Sequence, residues 1–326
     1  MMKKEILSLL KNTEDYVSGQ ELCERFSVSR TAVWKTIKRL KEEGYDIEAV
    51  QNRGYRLRKD ADVLSAQELE EALQNSFVSG NIVYFDTTDS TNTQAKILAE
   101  QGAVHGTLVV ADCQNAGKGR KGRGFDSPAG QSVYMSLLLR PDVLPNNASM
   151  LTLVAALAVE HGIWEVTKTK AKIKWPNDII LNGKKVCGIL TETSMQEDGI
   201  CHIIIGIGIN VQNTSFPEEI SDVATSLYLE TGKKTNRVAL IESILRAFED
   251  YFARFCKTQD MSLLLEEYQA LLINRGQKVR VLDPTDPYEG IAQGITKRGE
   301  LLVDTDDGEK KVAYGEVSVR GVYGYV

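Results

Sequence analysis

The segment Gly117-Lys118-Gly119-Arg120-Lys121-Gly122-Arg123-Gly124 holds four glycines and four cations, so it can neither fill a core nor sustain a regular element. Glycine is tolerated where backbone must approach something closely or adopt a positive φ. Cations fixed beside such backbone suit a polyanion, with N–H groups and guanidinium forks aimed at phosphate oxygens. A solvated basic loop is the plainer alternative. The flanks weigh against it: Leu108-Val109-Val110-Ala111 and Ser132-Val133-Tyr134-Met135-Ser136-Leu137-Leu138-Leu139 are apolar, strand-like runs. A mobile cationic loop hung between two buried strands is a favourable place for chemistry. Gly117-x-Gly119-x-x-Gly122 matches a dinucleotide fingerprint in letters only, because that motif opens a helix and Gly-Phe-Asp-Ser-Pro follows here. A phosphate-binding P-loop needs Gly-Lys-Ser/Thr, and Lys118 is followed by Gly119.

Before this loop lies a mildly basic head. Residues 1–60 carry 13 Lys and Arg against 10 Asp and Glu, in a chain of 326 residues with net charge −6. Lys3–Leu10 reads as a short amphipathic helix, and 18–26 as a second with Leu22 and Phe26 on one face. Ser27-Val28-Ser29 is a turn. Ser29 is the expected N-cap of a third helix in which Val33, Ile37 and Leu40 recur and which ends near Gly44. Its other face shows Arg30, Thr31, Lys35, Lys38 and Arg39. Tyr45–Leu57 then reads as two strands forming a wing, with Arg53 and Arg56 toward phosphates. This is a winged helix-turn-helix pattern, for which DNA is the expected partner through Ser29, Arg30, Thr31, Lys35, Arg39 and Arg53. A protein-interaction module is the alternative. A single head binds DNA modestly, so a dimer matching two half-sites is expected.

In the middle, Ser65-Ala66-Gln67-Glu68 is a capping box starting a helix through Leu73. Ile82–Phe85 is a strand, and the short polar side chains of Ser90, Thr91 and Asn92 read first as caps of a helix over 93–100, with ligand binding at that helix end as the second reading. Ala148–Thr167 is a long apolar helix. Lys172–Leu181 is a strand broken at Pro176, letting Lys174 and Asp178 face one cavity. Asn182-Gly183 is a hairpin turn, after which Lys185 heads an apolar strand as either an edge gatekeeper or a site cation. The strand 202–210 contains Gly206 and Gly208, and glycines within strands mark close approach of a ligand or of backbone. Helices are expected over 238–255 and 261–273. After 273, alternating runs with turns at Asp283-Pro284 and Asp306-Asp307-Gly308 imply five strands and a small β-barrel.

The five cysteines are scattered and read as small buried hydrophobes. The histidines lack metal-ligand or triad spacing, so neither a resident metal site nor a Ser-His-Asp hydrolase is expected. No signal-peptide pattern opens the chain and no apolar run reaches the roughly 20 residues of a membrane span. A cytoplasmic protein without membrane contact is expected.

Taken in order, the Gly117–Arg123 loop, Lys174-Trp175-Pro176-Asn177-Asp178, Lys185-Val186-Cys187-Gly188-Ile189-Leu190 and Gly206-Ile207-Gly208-Ile209-Asn210 resemble the biotin protein ligase family. With the winged head, the chain resembles the bifunctional ligase and biotin operon repressor form. The resemblance implies an α+β multidomain fold: a winged helix-turn-helix head over 1–60, a central mixed β-sheet catalytic domain with flanking helices of class II synthetase type over 61–272, and a small C-terminal β-barrel over 273–326. It implies adenylation of biotin by ATP, with Mg²⁺, and transfer to a lysine on the acceptor domain of biotin-dependent carboxylases. It implies that Ser90, Thr91, Asn92 and Gln114 hold biotin and that Lys118, Gly119 and Arg120 close over carboxylate and phosphate. Lys185 is implied at the reacting oxygens, Asn210 at the adenine, and Asp178 in acyl transfer or metal binding; Lys185, Arg120 and Asp178 are the catalytic set. The chain departs from the family pattern at Lys118, where Arg is frequent, at Phe125, where Trp occurs, and at Cys187, where Ala is usual. Lys118 lacks the bidentate fork, whereas Phe125 can still stack on adenine. A lipoate ligase-like enzyme and a DNA-binding metabolite sensor without turnover are the competing readings.

Overall fold

The computed structural model describes residues 2–58, 62–196, 199–283, 285–313 and 318–321. Pro284 of the expected turn and the expected boundary at 60 lie outside them. The head consists of α1 (Met2–Lys11), α2 (Gly19–Phe26), α3 (Arg30–Glu42) and the strands β1 (Ile47–Val50) and β2 (Gly54–Leu57). Ser18 and Ser29 cap α2 and α3 by accepting from the N–H groups of Glu21 and Ala32, as their short hydroxyl side chains favour. Ile6, Leu7, Leu10, Leu22, Val33, Ile37 and Leu40 form a core of their own, completed by Ile47 of the wing and by Val63. Gly54, at φ 112°, must be glycine: a Cβ there would stand 2.7 Å from Ser18 Cα.

The helix α4 (Ala66–Ala72) starts at Ser65, which accepts from Glu68 N–H. It ties head to body, because Lys11 pairs with Glu68 and Glu71 at 2.7 Å and Tyr45 donates to Glu68. The body is a seven-stranded sheet of β3 (Ile82–Thr88), β4 (Thr107–Gln114), β5 (Ser132–Leu139), β6 (Lys172–Lys174), β7 (Asp178–Leu181), β8 (Lys184–Gln196) and β9 (Gly199–Asn210), ordered β3-β4-β5-β9-β8-β7-β6. Only β3 and β4 run parallel, joined by α5 (Thr91–Glu100), and every other pairing is antiparallel. The sheet is therefore mixed.

Alternation along the strands divides the two faces. Ile203, Ile205, Ile207 and Ile209 join Val133, Met135 and Leu137 in the main core beneath α6 (Leu151–Thr167). Ile204 and Leu138 point the other way, against Ala95 and Ala99 of α5. By composition the stretch Pro145–Thr167 is long and apolar enough to cross a membrane, which a search for unbroken apolar runs overlooks. Here it is the core helix, buried between the sheet and α8 (Arg237–Thr258). Beyond the short α7 (Leu227–Thr231), the helix expected over 261–273 is cut to α9 (Leu265–Leu271), because residues 261–264 form turns instead.

The C-terminal strands β10 (Lys278–Leu282), β11 (Tyr288–Ile295), β12 (Leu301–Thr305), β13 (Gly308–Val312) and β14 (Ser318–Gly321) form one antiparallel sheet, ordered β13-β12-β11-β10-β14. The expected five strands are present, but no pairing of β13 with β14 closes a barrel among the described residues. Val279, Val281, Leu301 and Val303 belong to the same core as α6, so this sheet and the body share one apolar interior. Of the cysteines, all free, only Cys187 is fully buried and Cys256 is exposed, contrary to the expectation that all are core residues.

Candidate active site and DNA-binding face

On the α5 face of the sheet the side chains run out. Gly206 and Gly208 fall two apart on β9, and Gly188 of β8 lies directly opposite Gly208, leaving a trough. An added Cβ at Gly206 would lie within van der Waals contact of Asn92 Oδ1 and 2.8 Å from its Cγ; at Gly208 it would lie 2.8 Å from the Phe125 ring. The approach these glycines permit is thus by two side chains, not by another backbone.

The N-terminus of α5 closes one end of the trough. Thr91 and Asn92, expected to precede the helix as caps, lie within it, and Ser90 makes no side-chain cap bond. The capping reading is corrected: all three are buried and line the cavity. Asn92 accepts from Ser136 Oγ at 2.6 Å and donates to Glu192 at 2.7 Å. Gln114 Oε1 accepts from Thr91 N–H, and its Nε2 donates to Ser127. Each polar group is oriented by a second one behind it.

The cationic loop folds over the trough. Although no regular element was expected there, residues Arg120–Gly122 make one 3₁₀ turn with Lys121 at φ 57°. Gly119 N–H donates to Arg123 O and Phe125 N–H to Gly117 O. Gly117 must be glycine, since a Cβ would sit 2.6 Å from Ser127 Oγ. Phe125 meets Tyr134 edge-on. Arg120 donates to Asn177 Oδ1 at 3.1 Å, and Asn177 in turn donates to Ile189 O.

Two cavities meet at this point. The narrower is lined by Ser90, Thr91, Asn92, Gln114 and Lys118. The wider is lined by Lys174, Asp178, Asn210, Phe216, Ile220 and Val319. Gly119, Arg120, Phe125, Asn177 and Lys185 line both. At the junction Lys185, which lines both cavities, holds its Nζ 2.6 Å from Asp178 Oδ1. Asn210 donates to Thr225 O at the far side of the wider cavity. Burial pushes the Cys187 thiol and the Tyr134 hydroxyl up from their usual values, which keeps both neutral near pH 7. Every residue expected from the sequence for the ligand site is brought together. Sequence reasoning missed Ser136, Glu192 and Ser127, whose only signal is tertiary, and gave Asn177 no role of its own. It also missed Arg237, whose guanidinium joins Asp62 to Asp112, each at 2.7 Å, while Asp112 accepts from Gly130 N–H at the far end of the loop.

On the head, Arg30, Thr31, Lys35 and Arg39 lie exposed along the outer face of α3, with Ser29 at its start. Arg39 also pairs with Glu43, and Arg53 of the wing stacks on Tyr16, 4.3 Å from its ring.

Residues 84–210 match the Biotin/lipoate A/B protein ligase family, residues 3–56 an HTH domain and residues 276–320 the Biotin protein ligase C terminal domain. The bifunctional ligase/repressor BirA of Bacillus subtilis is 42% identical over 98% of this chain and 98% of its own length. BirA of Escherichia coli is 30% identical over 97% and 96%. The biotin protein ligase from Aquifex aeolicus, solved in complex with biotin and ATP, covers 74% of this chain and 99% of its own at 33% identity and TM-score 0.65. With likeness of this extent running through head, body and C-terminal sheet, the chain belongs to the biotin protein ligase family, in its bifunctional ligase/repressor form.

Proposed function

We infer that the chain is an ATP-dependent biotin–protein ligase that also represses transcription in response to biotin. The observation that carries the ligase reading is the meeting of two cavities over Arg120 and Lys185. Biotin occupies the narrow one and ATP the wide one, so that one biotin carboxylate oxygen reaches the α-phosphorus. The new P–O bond forms as the bond to the β-phosphate bridging oxygen breaks, and pyrophosphate leaves with that electron pair. A neutral lysine amine of the acceptor domain then attacks the acyl carbon of biotinyl-5′-AMP and expels AMP.

Two anions repel as they approach, and fixed cations offset that repulsion. We assign Lys185 to the carboxylate and α-phosphate oxygens, Arg120 and Lys118 with Gly119 of the loop to the phosphate side, and Asp178 to holding Lys185 and assisting acyl transfer. Donors preorganised at such a centre contribute about 2.7–4 kcal/mol each. Ser90, Thr91, Asn92 and Gln114 take the polar edge of biotin, Asn210 the adenine, and Phe125 stacks on the adenine. Mg²⁺ binds through one or two carboxylates plus substrate phosphates; the Asp178 carboxylate in the wider cavity fits it, and the ion would neutralise phosphate charge. The folded-over loop excludes water from the anhydride.

The head reads operator DNA through Ser29, Arg30, Thr31, Lys35, Arg39 and Arg53, as a homodimer when the adenylate is bound. We propose functional divisions at 60 and 272 and a cytoplasmic location. The full chain incubated with ATP, labelled biotin and a carboxylase acceptor domain tests the ligase reading: label should pass to an acceptor lysine. Transfer from labelled lipoate but not from labelled biotin would favour the lipoate ligase-like reading, and no transfer from either the non-catalytic one.

A further inference from the structure

Most large apolar side chains of the head pack into or against one core, and among the described residues one is exposed. Trp34 is 55% exposed, on the outer face of α3. It is the fifth residue of that helix, one turn after Arg30, and one turn before Lys38, whose ammonium lies 5.7 Å from the indole centroid. Arg30, Thr31, Lys35, Lys38 and Arg39 surround it, all exposed. A flat apolar group ringed by cations has no partner of its own in the protein's core. It suits a surface that is anionic at its rim and apolar at one spot. Duplex DNA viewed into the major groove has that character: phosphates along both walls and, at each A·T pair, a thymine 5-methyl group on the floor. A helix entering the groove contacts base edges with its N-terminal residues, the half of α3 in which Trp34 lies.

We propose that Trp34 is a specificity-determining residue of the repressor, packing its indole on a thymine methyl in each half-site while the surrounding cations bind phosphates. The proposal rests on the head's DNA-binding role and adds to it the base feature that is read. Trp34 lies outside both ligand cavities, so ligase turnover provides an independent check of folding.

The test uses the full-length chain with biotin, ATP and Mg²⁺, and a duplex selected by it from a random pool. Each thymine of that duplex is replaced singly by uracil, which removes only the methyl. The wild-type chain should lose roughly fourfold in affinity at one thymine per half-site, the worth of one buried methyl. Trp34→Ala should bind the thymine duplex at least tenfold more weakly than wild type, lose discrimination between thymine and uracil, and keep both its ligase rate and its salt dependence. Lys35→Ala should instead lower the slope of log affinity against log salt by about 0.9. If no uracil substitution weakens wild-type binding, or Trp34→Ala still discriminates thymine from uracil, the proposal falls. Failure of the wild-type chain to select any duplex would overturn the DNA-binding reading itself, a separate result.

Discussion

Gly206→Ala is the smallest change that reaches the vitamin pocket. The new methyl would stand 2.8 Å from Asn92 Cγ and closer still to its Oδ1, whereas ordinary contact needs 3.4 Å or more. Asn92 sits in the first turn of α5 and must retreat by more than an ångström. Its bonds from Ser136 at 2.6 Å and to Glu192 at 2.7 Å then fail together. A neutral hydrogen bond contributes about 0.5–1.5 kcal/mol and one to a charged group about 1.5–3 kcal/mol. Those two bonds together are worth about 2–4.5 kcal/mol of stability, and leaving a buried polar group of biotin without its Asn92 partner should weaken biotin binding by about 1–3 kcal/mol, or ~5–150-fold in Kd. Gly208→Ala is the matched control. Its methyl meets the Phe125 ring, which hangs on the loop and can swing aside, so adenylate retention should suffer before biotin affinity does. Calorimetric titration of biotin into the ligand-free variants, alongside thermal melts, separates the two. If Gly206→Ala binds biotin within threefold of wild type, the role given to Asn92 is wrong.

Lys185→Ala should slow adenylate formation by roughly 10²–10³ in kcat with the fold intact, read as pyrophosphate release. Arg237→Met leaves the carboxylates of Asp62 and Asp112 without their shared, buried cation; it should cost about 3–5 kcal/mol of stability, measured by denaturation, and an unchanged midpoint would show the brace idle. Glu160, buried on α6, is pushed up to about 7 by desolvation from the usual 4.5, against the opposing pull of Lys172. The folded state then holds its proton more tightly than the unfolded chain, so stability should fall by about 3 kcal/mol as pH rises from 4.5 through 7. Glu160→Gln should flatten that part of the stability–pH curve, and an unaltered curve would refute the assignment.

What the sequence made legible was local. The Ser29 cap, the capping box at Ser65 and the Asn182-Gly183 turn, with φ of 46° and 81°, each depend on residues within one turn of chain. The loop and its flanking strands were legible because glycines and cations exclude a core role while the flanks demand one. Ser90, Thr91 and Asn92 were ambiguous because short polar side chains serve equally as helix caps and as ligand donors; the bonds that Asn92 accepts from Ser136 and donates to Glu192 are tertiary and leave no local signal. β3 outran its apolar portion because Thr87 and Thr88 keep pairing with Cys113 and Gln114, and ladder bonds do not depend on side-chain polarity. The Asp62–Arg237–Asp112 brace joins residues separated by 175 and 125 positions, for which no periodicity can prepare a reader.

The central claim is that a cationic loop and Lys185 join two mutually repelling anions into an acyl-adenylate that the protein then retains. The full chain, given biotin and ATP labelled at the α-phosphate but no acceptor, should yield stoichiometric bound biotinyl-5′-AMP with an equal amount of pyrophosphate, and Arg120→Ala should release that adenylate faster than wild type. Formation of ADP in place of pyrophosphate, or label that never becomes acid-stable biotinyl-5′-AMP on the wild-type chain, would contradict it.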